Sequence, residues 1–163
     1  MWSPPNFVDL KDAADAEQVL SRALKLLSDL KDPSRPTLEA NVLTWRARAR
    51  TLLAEKDLSK NDLTLTDAQR AISLLPAQPA KPETKHDLAL AHLYLARAHF
   101  FRASLASRPT VVKGWLSRIM WTRRRRKDLA EVQQHAGEAL RLDPGNRHIH
   151  IQGSWLFENA DQG

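Results

Sequence analysis

The stretch Gly137-Glu138-Ala139-Leu140-Arg141-Leu142-Asp143-Pro144 decides how the rest of the chain is read. Ala139 is preceded three and seven positions earlier by Ala136 and Val132. That spacing lays small and apolar side chains along one helical stripe. Pro144-Gly145-Asn146 then breaks the helix. The same ending recurs upstream as Gln69-Arg70-Ala71-Ile72-Ser73-Leu74-Leu75-Pro76, with Thr64 and Ala68 on its stripe, and as Ser21-Arg22-Ala23-Leu24-Lys25-Leu26-Leu27, with Ala16 and Leu20. Three occurrences constitute an internal repeat. A second helical run follows each break, at residues 38–55, 86–105 and 147–159, with Pro33 and Pro36 or Pro76, Pro79 and Pro82 between.

The phrase Ala139-Leu140-Arg141-Leu142-Asp143-Pro144 resembles the end of the second helix in the tetratricopeptide (TPR) family, and the resemblance extends over residues 13–160. Trp45, Ala49 and Leu52, and again His92, Leu95, Ala96 and His99, are similar to the large-large-small-large spacing of that family's first helices. The resemblance implies an all-α fold, a short irregular solenoid of helical hairpins forming a single domain over residues 1–163. The repeat alanines Ala23, Ala71 and Ala139 lie 48 and 68 residues apart, against about 34 in a regular repeat. Residues 29–37, 56–63 and 77–85 are expected to absorb part of the excess. The remainder, residues 106–127, is expected to be a basic excursion inserted between the two helices of one repeat.

The family resemblance further implies a non-catalytic adaptor or scaffold that holds an extended protein segment in a groove lined by first helices. In the register set by Trp45 the lining residues are Leu43, Arg46, Arg50 and Leu53, followed by Leu90, Leu93, Arg97 and Phe100. Arginines interleaved with apolar side chains suit an acidic or C-terminal peptide, with plain solvation of those arginines as the alternative. Residues 38–49 also look like the chaperone-cofactor subgroup that grips acidic C-termini. Where that subgroup carries Asn before its Arg-Ala pair, however, this chain has Ala47, and Leu90 and Tyr94 stand where it has Lys and Arg.

Charge points to a second contact region. Arg108, Lys113, Arg118, Arg123, Arg124, Arg125, Arg126 and Lys127 are eight cations with no acid among them, more than the chain's whole net charge of +6. Basicity is therefore a property of one segment. Within it Val112, Trp115, Leu116, Ile119 and Met120 follow helical spacing. Such a stripe either packs on the repeats or docks, and the Arg run suits a partner groove, RNA or an anionic membrane surface.

The apolar run at residues 88–105 is interrupted by His92, Arg97, His99 and Arg102, too polar for a membrane span. The N-terminal residues lack an apolar signal core and carry Asp9, Asp12, Asp15 and Glu17, acids expected at a helix start. A cytoplasmic or nuclear location is expected. There is no cysteine and no glycine-rich phosphate loop. His92 and His99 lie two helical turns apart, and His148 is close to His150, but no carboxylate in the sequence pattern completes a ligand set. No catalytic residue, metal or cofactor is therefore assigned. Leu156 and Phe157, on the last helix, are candidates for self-association through the apolar end of a short repeat array.

Overall fold

The computed structural model describes residues 10–105 and 115–161, and among them it contains six helices and no strand. These are α1 (Leu10–Ser28), α2 (Arg35–Leu53), α3 (Ser59–Leu74), α4 (Pro82–Leu105), α5 (Trp115–Leu142) and α6 (Arg147–Asp161). Local chemistry accounts for the boundaries. Asp32 Oδ1 accepts from the Ser34 backbone N–H at 2.7 Å ahead of α2, where Pro36 sits in the first turn. Asp57 Oδ1 accepts from the Ser59 N–H at 3.0 Å at the start of α3. Asn146 caps α6 by accepting from the N–H groups of His148 and Ile149 at 3.0 and 3.1 Å. Each satisfies donors that the helix itself leaves open.

Consecutive helices pack in pairs throughout, and α2, α4 and α6 also touch one another as a row, whereas the backbones of α1, α3 and α5 stay apart. Small residues make the close approach feasible: Ala47, Ala49, Ala68, Ala71, Ala89, Ala91, Ala96, Ala98, Ala136 and Ala139 are all fully buried. The repeat alanines Ala71 and Ala139 thus sit inside helix contacts, where a side chain any larger would overpack. Helix α4 is central. It meets α2, α3, α5 and α6, and so Leu88 to Leu90, Leu93, Tyr94 and Leu95 are buried on every side. A helix surrounded in this way needs apolar residues on several faces at once.

Two features depart from the expected layout. Helix α3 begins at Ser59, so residues 59–63 belong to a helix and leave only a short connection after α2. The basic excursion is not wholly separate from the repeats either. Residues 115–127 are the N-terminal half of α5, continuous with the stretch that carries Leu129, Val132, Ala136 and Ala139 into the core. Residues 106–114, including Arg108, Val112 and Lys113, lie outside the described residues, as do the side chains of Trp115, Leu116 and Arg118. No helix among the described residues is long and apolar enough to cross a membrane.

Candidate functional site

Arg46 and Arg50, four residues apart on α2, share a helix face, and that face is turned towards α1 and α3. Arg46 donates through Nε and a terminal nitrogen to both oxygens of Asp67 on α3, at 2.8 and 2.7 Å. Arg50 donates to Asp67 at 2.7 Å and to Glu17 of α1 at 2.8 Å. Lys60 closes the chain on the second Glu17 oxygen at 2.7 Å. Asp67 is 3% exposed and Arg50 8%. Burial raises the Glu17 carboxyl, but hydrogen bonds from Lys60 and Arg50 outweigh it and leave the group below its ordinary value. These arginines therefore fasten three helices together and do not line an open groove. Leu43, Leu90 and Leu93 are core residues, and Leu53 is half-buried at the end of α2.

Arg97 and Phe100 point elsewhere. They line a cavity of about 420 Å³ with Thr51 and Glu55 from the end of α2, Phe101 of α4, and Ile151 and Trp155 of α6. Phe100 and Trp155 meet edge to face with ring centroids 5.1 Å apart. Trp155 is nevertheless 51% exposed and Ile151 54%. Arg97 is partly buried and makes no ion pair among the described residues. A second guanidinium reaches the same neighbourhood: Arg48 stacks 5.3 Å over the Trp45 ring, and both Arg48 and Arg97 act on Tyr94 and on His148. Burial lowers the His148 pKa, and the field of Arg48, Arg97 and His86 lowers it further. Arg48 and Arg97 are thus two cations that act on the same part of the α2–α4–α6 row. Their common direction was hidden by a register that assigned the outward face to Arg46 and Arg50.

The basic run lies along α5. Arg123, Arg124, Arg126 and Lys127 are exposed, as are Ile119 and Met120 of the apolar stripe. Arg125 lies 5.9 Å from the centroid of the Trp121 ring. Met120, Trp121 and Arg124 border a second, more open hollow with Leu58, Asn61, Asp62 and Arg102.

On the other side of α4, helix packing assembles a cluster that no sequence spacing displayed. His99 Nδ1 stands 3.0 Å from Asp128 Oδ1. Arg102 holds the same carboxylate through Nε, at 3.1 and 3.0 Å to its two oxygens, and through a short contact from a terminal nitrogen. His92 Nδ1 lies 2.9 Å from His135 Nδ1, and His135 Nε2 is 3.6 Å from Glu131. Burial first, then the neighbouring His135, pushes the His92 pKa down to about 4. Burial and His99 lower that of His135. Two carboxylates absent from the local sequence pattern, Asp128 and Glu131, thus reach these histidines from α5. The one legible signal was local: Glu131 and His135 are four apart, one turn of the same helix.

Comparison with family models, with curated proteins and with solved structures yields no match to this chain.

Proposed function

We propose that the chain is a non-catalytic, TPR-like helical-repeat adaptor that holds an acidic or C-terminal protein segment against the α2–α4–α6 row. The observation that carries this reading is Arg97, which has no ion pair among the described residues and is set in a cavity beside Phe100, Phe101 and the exposed Trp155. A guanidinium flanked by aromatic rings recognises a carboxylate adjacent to an apolar side chain. Arg48 adds to the positive field, and Glu55 at the cavity wall offers a bound segment one acceptor for a backbone N–H. The repeat endings around Ala71 and Ala139, buried where the family pattern wants small residues, support the repeat reading.

Fluorescence anisotropy with labelled peptides ending in Asp or Glu next to a Phe or Leu tests the proposal. Binding is expected to fall by roughly tenfold or more in Arg97→Glu and in Trp155→Ala, the loss typical of a central anchor. Equal binding by wild type and Arg97→Glu excludes this groove. The exposed run of Arg123, Arg124, Arg126 and Lys127 favours a second reading, association with RNA or an anionic membrane through α5. That reading requires affinity to fall steeply with salt and to survive both cavity substitutions.

A further inference from the structure

We propose that His99, His135 and Glu131 form a divalent transition-metal site of the zinc class, bridging α4 and α5. The three side chains each present one ligand atom, and those atoms lie within 4.8 Å of one another. Ligand atoms around a tetrahedral zinc with bonds of about 2.0–2.2 Å are separated by roughly 3.4 Å. Bringing ligand atoms that lie up to 4.8 Å apart to that separation requires the side chains to close by roughly 1.4 Å.

The surrounding hydrogen bonds orient these ligands. An ionised carboxylate only accepts, so with its proton on Nδ1 His99 donates to Asp128 at 3.0 Å, and the Arg102 terminal nitrogen 3.2 Å from the same Nδ1 is then a contact and not a hydrogen bond. His99 Nε2 is then left with its lone pair free. Between His92 and His135, only one of the two Nδ1 atoms 2.9 Å apart carries the proton. With that proton on His135, His92 becomes the acceptor and the lone pair of His135 Nε2 faces the Glu131 side. Both ligands therefore use Nε2 and are anchored through Nδ1, the outer-shell arrangement that fixes tautomer and ring direction in metal sites. Asp128 is itself held by Arg102 and is 1% exposed, so the anchor of His99 is rigid.

The donor set decides the class of ion. Two imidazoles and one carboxylate suit zinc and its neighbours over calcium or magnesium, which take oxygen ligands. Three protein ligands leave a fourth position for solvent. His99 is 6% exposed while the Glu131 side chain is 32% exposed, which gives the ion a path from solvent and a dry inner wall. The positive charge of Arg102 is matched by Asp128, and Glu131 supplies a negative charge to the ion. The site lies in the α4–α5 contact, away from the cavity of Arg97, and stands whether or not that cavity binds peptide.

The test is calorimetric titration of chelator-treated, tag-free full-length protein with zinc chloride, repeated with cobalt(II), whose visible absorption reports coordination. One ion per chain is expected, with micromolar or tighter affinity, a higher melting temperature and a cobalt spectrum of four-coordinate N/O type. Glu131→Gln and His135→Ala should weaken binding by more than about tenfold, and Asp128→Asn by about 10–100-fold through the loss of the His99 anchor. His86→Ala and His150→Ala, away from the cluster, should bind as wild type does. Circular dichroism verifies that each variant is folded, and Glu131→Gln alters an outer, partly exposed group, so it serves if the buried changes unfold the chain. Absence of saturable one-to-one binding in wild type overturns the proposal, as does unchanged affinity in folded Glu131→Gln and His135→Ala.

Discussion

Asp67 of α3 accepts from Arg46 of α2 through both carboxylate oxygens, at 2.8 and 2.7 Å, in a position only 3% exposed. A bidentate pair of this kind combines a strong charge-assisted contact with a fixed geometry. Because Arg50 shares the same carboxylate, Asp67 is the acid common to two guanidinium groups of α2. The network reaches α1 through Glu17 and returns to α3 through Lys60. It thereby ties together α1 and α3, whose backbones do not approach each other.

Asp67→Ala should be among the most damaging single changes in the molecule. It leaves Arg46 without an acid and Arg50 with Glu17 alone, and breaking a largely buried pair in this way costs on the order of 3–5 kcal/mol. Urea unfolding should show a lower midpoint with an unchanged slope. Reversing the charge of Arg46 and Arg50 should likewise unfold the α1–α3 end, not merely weaken a ligand. A stable Asp67→Ala protein would show that the network is dispensable.

Glu17 makes a pH-dependent contribution. Its folded pKa lies below the ordinary 4.5 because hydrogen bonds from Lys60 and Arg50 outweigh the effect of burial. The stabilisation is therefore fully present above 4.5 and is lost as pH falls through the lowered folded value. Glu17→Gln should be less stable than wild type at neutral pH, and the two should converge as the solution is acidified. Parallel denaturation curves at several pH values give this difference directly, and a gap that widens on acidification would contradict the pairing.

Ala139 is fully buried on the core side of α5. Replacement by Leu adds three carbons to a contact built for a methyl group, and should cost about 1–3 kcal/mol by overpacking. Thermal unfolding monitored by circular dichroism should register a lower midpoint with helical content retained at low temperature. Full wild-type stability would mean that α5 is free to shift away from its neighbours.

Neutralising Arg123, Arg124, Arg126 and Lys127 to Gln should leave stability nearly unchanged, since surface substitutions without a specific partner usually stay within about 0.5 kcal/mol each. Deleting residues 115–127 should be costly by comparison, because they continue the core-bearing helix α5. Comparing the two variants by urea unfolding separates the charges from the helix that carries them. Equal stability of both would show that this half of α5 is a dispensable extension.

The helical class, several of the helix breaks and the small residues at helix contacts were legible in the sequence. These depend on contacts within one or two turns: Asn146 capping α6, Pro82 opening α4, and Ala71 and Ala139 spaced on their stripes. The register taken from the family resemblance named Arg97 and Phe100 together, and both line the cavity beside α6. Direction failed where a helix is surrounded. Helix α4 packs against four helices with polar residues scattered around its apolar ones, and α2 carries Arg46, Arg48 and Arg50 within five residues, so the local pattern does not distinguish the face that meets α1 and α3 from the one that meets solvent. Only the tertiary structure decided that Arg46 and Arg50 turn inward while Arg48 and Arg97 remain on the other side, because Asp67 and Glu17 are 17 to 33 residues from Arg50. The histidine cluster has the same cause: His99 and Asp128 are 29 residues apart and His92 and His135 are 43 apart, and their chemistry exists only where the packing of α4 on α5 brings separate turns together.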